Sequence, residues 1–141
     1  CLDGTIPVTE LPYVLRRIGE MSREFGLDVG NVFHAGDGNM HPLILYNANK
    51  PGDLETCEAF GAEILKLCVE VGGCLTGEHG VGIEKRDLMN IQFNADDLEA
   101  QMRIKDVFDP KWLLNSAKVF PLADTKSRRE NGLQTVALVA E

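Results

Sequence analysis

NVFHAGDGNMHP, residues Asn31 to Pro42, is the stretch on which the fold turns. Its flanks, Asp28 to Ala35 and Met40 to Tyr46, are rich in Val, Phe, Ile, Leu and Tyr, and its centre, Gly36-Asp37-Gly38-Asn39, is turn chemistry. β-favouring runs around Asp-Gly predict a hairpin. With Asp37-Gly38 as a two-residue loop, Gly36 faces Asn39, Ala35 faces Met40 and His34 faces His41; a four-residue loop gives the same register. Opposed residues on one sheet face hold their Cβ atoms about 5 Å apart, a spacing that suits two imidazoles on one metal. The chain has three histidines, and the third, His79, lies in Thr76 to Gly82, TGEHGVG, next to Glu78. Every imidazole therefore sits in a glycine-rich, turn-forming context.

Working outward, DGTIPV (Asp3 to Val8) predicts a short strand, ended or confined to an edge by Pro7. Thr9 is positioned to cap a helix running to about Phe25, with Leu11, Val14, Leu15, Ile18, Met21 and Phe25 on its apolar stripe and Gly26 as its stop. A second helix is expected over Leu54 to Val71, capped by Asp53, burying Leu54, Cys57, Gly61, Ile64, Leu65, Cys68 and Val71. Gly72-Gly73 ends it, and Cys74 to Thr76 reads as a short strand delivering Glu78 and His79. Glu84 to Ile91 predicts a short helix, and Asn94, with Asp96 and Asp97 behind it, caps a clearer one ending near Phe108. Trp112 to Pro121 reads as irregular, the polar segment from Asp124 as a mobile tail, and TVALVA near the end as a short strand or frayed chain. The implied class is α+β: a partial antiparallel sheet with helices on one face.

The length, 141 residues with 44% hydrophobic and 26% charged, fits one globular domain rather than a membrane-spanning or disordered chain. A net charge of −8 argues against nucleic acid as a partner, because phosphates demand a basic face. The start at Cys1, without Met, suggests a piece of a longer chain. The four cysteines form no CxxC pair. In a helix, Cys57 and Cys68 would stand about 16 Å apart, too far to bridge, so all four read as thiols in a reducing compartment.

His34, His41 and Glu78 form the minimal protein set for a catalytic zinc with an open position, and the same set suits iron or manganese. The competing reading is structural: histidines hydrogen-bonded at a hairpin base and a solvated Glu78. In an extended segment Glu78 and His79 point to opposite sides, so one would bind metal while the other faces substrate as a general base. An imidazole, titrating near about 6.5, suits that role. Asp37 and Asn39 read as turn-formers first and as partners orienting the histidines second. The methionines read as core fillers. Neither G-x-G, at Gly36 or at Gly80, continues into a dinucleotide fingerprint, and there is no phosphate loop.

HAGDGNMHP, GGCLTGEHGVGIEKRDLM and FDPKWLLNSAKVFP, in this order and spacing, resemble the C-terminal part of FAD-linked 2-hydroxyacid oxidases and dehydrogenases, the family of glycolate, D-lactate and D-2-hydroxyglutarate enzymes. DGTIPVTELP resembles the entry to that region. The resemblance covers residues 3 to 121 and implies a ferredoxin-like cap domain, divided here as 1–121 (substrate and cap) and 122–141 (tail). It implies FAD on an N-terminal domain of the same parent chain, and a small 2-hydroxy acid substrate of the glycolate or D-lactate class. It further implies a divalent metal (Zn, Mn or Fe) at His34, His41 and Glu78, a proton-abstracting His79, and an Asn115 near the flavin. The chain departs from the family's LLNPGK at Ser116 and Ala117. Other oxidase subunits are expected partners, an exposed sheet edge a route to self-association, and the cytoplasm, at the inner face of a membrane in the parent complex, its place. The isolated chain is expected to be inactive. Two other classes stay open: a non-catalytic metal-binding or subunit-interaction module, with Asp53 to Val71 or the tail docking a partner, and a stand-alone metal-dependent hydrolase or oxygenase.

Overall fold

The computed structural model describes residues 1–128 and 130. It divides into two compact units, Cys1–Gly80 and Val81–Glu141. The class is α+β, as expected.

The first unit runs β1 (Gly4–Thr5), α1 (Leu11–Phe25), β2 (Val29–His34), β3 (Asn39–Ile44) and α2 (Asp53–Glu70). The sheet is antiparallel, in the order β1-β3-β2. On the far edge of β1, Thr5 pairs antiparallel with Cys74 through two backbone hydrogen bonds of 3.1 and 3.0 Å. That is the βαββαβ order of the ferredoxin-like fold with its last strand shrunk to one bridge.

Helix α1 forms where its apolar positions recur at helical spacing; Val14, Ile18 and Met21 are buried. Pro12 is tolerated in its first turn, and Gly26 closes it in the left-handed region at φ 67°. Its start departs from expectation. Thr9 lies in a 3-10 turn, Val8–Glu10, and Glu10 precedes α1 without a side-chain cap. Asp53 likewise does not cap α2. Gly52 holds that position, and Asp53 instead accepts bonds from the Asn47 amide and Lys50, closing the loop before the helix. Leu54, expected inside, is exposed, and Phe60, omitted from the expected stripe, is fully buried and stacked on Phe25 with ring centroids 5.1 Å apart. The core joins Ile6, α1, Met40 and the inner side of α2, with Leu27.

The hairpin register differs from the expected one. Its loop is Ala35–Gly38, so His34 faces Asn39 and Val32 faces His41. The cause lies outside the hairpin. β1 recruits Asn39 and Met40 as ladder partners, and the Ile6 amide donates to the Gly38 carbonyl at 2.9 Å. Gly38, at φ 70°, lies so close that a Cβ there would stand 2.0 Å from the Ile6 carbonyl oxygen. The shift is two residues, so each side chain keeps its face. Met40, Pro42 and Ile44 share the face of core residue Met40, while Asn39 and His41 share the other with Val32 and His34.

The second unit contains a 3-10 turn (Arg86–Leu88) running into α3 (Met89–Gln92), in place of the single helix expected over Glu84 to Ile91, and then α4 (Ala95–Phe108). Asn94 and Asp97 form a reciprocal capping box at the start of α4. Met89, Leu98, Met102, Trp112 and Phe120 are buried here. Residues 122–128 are helical, and Arg128 pairs with Glu99 and Asp106. TVALVA lies outside the described residues.

Two glycines make the packing testable. A Cβ at Gly73 would stand 1.8 Å from the Thr5 carbonyl oxygen, whereas one at Gly19, inside α1, would meet nothing within 4 Å. Urea unfolding should show Gly73→Ala losing more than about 2 kcal/mol and Gly19→Ala gaining about 0.5–1 kcal/mol.

Candidate metal and proton-transfer site

The site is built on the sheet face opposite the one on which α1 and α2 pack. His34, at the end of β2, and His41, in β3, are diagonal neighbours across the ladder, a separation that long side chains span. Their rings meet edge to face at 5.4 Å between centroids. His41 is buried, and its Nδ1 lies 3.1 Å from the Leu2 carbonyl oxygen. A carbonyl only accepts, so Nδ1 carries a proton, and Nε2 is the nitrogen turned toward Glu78.

Glu78 closes the cluster. Its Oε1 lies 3.0 Å from His41 Nε2, 3.6 Å from His34 Nε2 and 4.0 Å from His79 Nε2. Asn39 Nδ2 donates to the same oxygen at 3.4 Å. His79 stacks on His41 at 5.0 Å with its ring 22° from parallel. The expectation that Glu78 and His79 diverge is not met, because the segment is a turn rather than a strand. Gly77 makes this approach possible: a Cβ there would stand 2.6 Å from Asn39 Oδ1. An open cleft of about 410 Å³ borders the cluster, lined by Thr5, His34, Asp37, Asn39, Gly77 and Glu78.

Asp3 went unnoticed in the sequence as a site residue. It is fully buried. Its Oδ2 accepts from the Thr76 hydroxyl at 2.6 Å and from the amides of Gly77 and His79 at 2.9 and 3.0 Å; the Glu78 amide lies 3.2 Å from both carboxylate oxygens. Burial alone would raise its pKa. The Thr76 hydroxyl and the three amides outweigh it and hold the carboxyl well below the usual range. The only sequence signal was a carboxylate next to Gly4 at the entry to a short strand.

Asn115 lies in the second unit, in the loop after α4, with φ 47°. Ala117, where the family pattern carries glycine, is also left-handed at φ 63°. The loop hangs on Asp109, which accepts from Lys105 Nζ at 2.8 Å and from the Leu113 and Leu114 amides at 3.0 Å each. Trp112 is held by a bond from its indole N–H to Asp106, with Lys105 and Arg128 over its ring.

Residues 1–119 match the family model described as FAD linked oxidases, C-terminal domain. The chain belongs to that family. It is 54% identical over 121 residues to the glycolate oxidase subunit GlcD of Escherichia coli K12, which covers 86% of this chain and 24% of that protein. It is 34% identical over 120 residues to the mitochondrial cytochrome-linked D-lactate dehydrogenase of Kluyveromyces lactis, covering 85% of this chain and 20% of that protein. It is 33% identical over 126 residues to the D-2-hydroxyglutarate dehydrogenase of Stutzerimonas stutzeri, covering 84% and 26%. The FAD-linked oxidase domain thus spans about a quarter of the length of these relatives or less. No helix among its described residues is long and apolar enough to cross a membrane.

The residues fit a divalent cation. One nitrogen or oxygen from each of His34, His41 and Glu78 lies within 4.8 Å of the others, from one carboxylate and two imidazoles. Asp3, His41 and His79 also converge to that limit, but the Asp3 oxygens already receive the loop amides. The dinucleotide of a flavin finds no such cradle on the two G-x-G segments. Gly36 to Gly38 lies in the hairpin loop, and Gly80 to Gly82 leads into turns rather than directly into a helix.

Two outcomes follow. A carboxyl whose folded pKa is depressed stabilises the fold fully above the unfolded value, about 4, and loses that contribution as pH falls. The stability gap between the native chain and Asp3→Asn should be constant above about pH 5 and shrink below about pH 4 in denaturant titrations. Ala117→Gly should raise stability by up to about 1 kcal/mol in the same assay, by relieving a left-handed alanine.

Proposed function

We propose that this chain is the substrate-side domain of a flavoenzyme that oxidises a small 2-hydroxy acid, of the glycolate or D-lactate class, to the 2-oxo acid. The observation that carries the proposal is the convergence of three imidazoles on one carboxylate oxygen, in a chain of the FAD-linked oxidase family. His34, His41 and Glu78 would hold a divalent metal (Zn, Mn or Fe), which when bound lowers the pKa of a coordinated hydroxyl as a Lewis acid. His79, exposed beside the cluster and stacked on His41, takes the hydroxyl proton as general base. The FAD, which takes the hydride equivalent from C2, belongs on an N-terminal domain of the parent chain, with Asn115 lining it.

On α4, Ile104, Val107 and Phe108 are exposed, which favours a contact with that domain or with another oxidase subunit. Among the described residues β2 pairs only with β3, and its other edge is a second place for pairing, with a copy of this chain among the candidates. No disulfide joins Cys1, Cys57, Cys68 and Cys74, which suits a reducing compartment, so we place the enzyme in the cytoplasm, peripheral to the inner face of the membrane.

The purified chain should be colourless and inactive and should bind one Zn²⁺ or Mn²⁺. His34→Ala or His41→Ala should abolish that stoichiometry in elemental analysis. In the flavoenzyme carrying this domain, His79→Ala should retain metal and lower kcat by about 10²- to 10⁴-fold. Unchanged metal content in the histidine variants would overturn the ligand assignment, and tight FAD binding by this chain alone would overturn the division between domains.

A further inference from the structure

Glu78 and His79 are adjacent, yet both reach His41. In extended backbone, neighbours point to opposite sides of the chain. Three successive amides bend this backbone: those of Gly77, Glu78 and His79 turn inward onto one buried carboxylate. The Thr76 hydroxyl extends the grip. It donates to Asp3 and accepts from the Gly80 amide at 2.9 Å, so both ends of the turn are tied to the same anchor. Successive amides wrapped round an anion form a nest; here the anion is the protein's own.

The residue before Asp3 reaches the other half of the site. The Leu2 carbonyl fixes the proton on His41 Nδ1, and the Leu2 amide donates to the Pro42 carbonyl at 3.0 Å. Leu2 and Asp3 therefore orient His41 from behind and Glu78 and His79 from below. Extending the β1–β3 register by one step sets Asp3 opposite His41, on the site face.

We infer that Asp3 is a positioning residue: its carboxylate folds residues 76–80 so that a metal ligand, Glu78, and a base, His79, converge although they are neighbours in sequence. This deepens the functional reading above and rests on it for the metal. It predicts that Asp3→Asn, which removes the negative charge and replaces one carboxylate oxygen with an NH2 group that cannot accept, loosens the turn. Glu78 would then leave His41, and the His79 ring would unstack.

The test uses the whole chain, with Co²⁺ as the metal and histidine-ring NMR on the metal-free protein. Asp3→Asn should bind Co²⁺ about 10- to 100-fold more weakly than the native chain, with altered visible bands, and should lose the His41–His79 ring cross-peak. Ile18→Val, a core change away from the site, should lower stability while leaving both readouts unmoved. A folded Asp3→Asn with native Co²⁺ affinity and an intact ring contact would overturn the proposal. If Asp3→Asn does not fold, Thr76→Val takes its place. It removes the hydroxyl from the same anchor, and unchanged affinity with an unchanged ring contact would again overturn it. If the native chain binds no Co²⁺, the metal reading falls by itself, and the cross-peak alone decides whether Asp3 positions His79.

Discussion

The buried Asp3 carboxylate is the constraint on which the rest of the first unit depends. A charge fully out of solvent is costly unless it is met by donors, and here the donors are the amides of the segment that carries the site. The requirement runs both ways. Asp3 needs the turn to satisfy its oxygens, and the turn needs Asp3 because amides with no helix or strand partner must be satisfied elsewhere. One interaction thus closes a loop of more than seventy residues, from β1 to the chain beyond α2.

Close backbone packing surrounds that contact. Thr5 bridges to Cys74, Gly73 lies against the Thr5 carbonyl, and Gly77 lies against Asn39. A methyl group at either glycine would displace the turn from the strand beside it. The glycines of GGCLTGEHG are therefore as much a part of the site as its histidines, because they set how near Glu78 can come to β3. Asn39 shows the same economy. It pairs with both β1 and β2, and its amide donates to Glu78, so one residue fixes the sheet and orients a candidate ligand.

Much of this was legible because it rests on local chemistry. The Asp-Gly centre and its apolar flanks announced the hairpin, Gly26 marked the end of α1, and Asn94 with Asp97 marked the start of α4. The pairing of the histidines survived a wrong register because the error was even: two residues change who faces whom but not which face is occupied. What was not legible came from distant partners. The loop length depends on β1 taking Asn39, Phe60 is buried because Phe25 is there to stack on it, and Asp53 is drawn away from capping by Lys50 and Asn47. Asp3 was hidden for the same reason: its four donors lie more than seventy residues away.

The distribution of burial across the site bears on what the domain needs from elsewhere. His41 is buried and fixed, whereas His34, Glu78 and His79 are open to solvent. In water, the attraction between a cation and a developing alkoxide is strongly screened, and it grows as the site is closed off. Removing a proton from a hydroxyl beside an exposed imidazole would also compete with exchange to bulk water. On the proposed reading, a sheet face that gathers candidate ligands and a candidate base, three of these four side chains half exposed or more, is half of a reaction chamber. On that reading the hairpin and the Asp3-anchored turn supply fixed geometry, and the water-excluding surface is the part left to the proposed flavin domain.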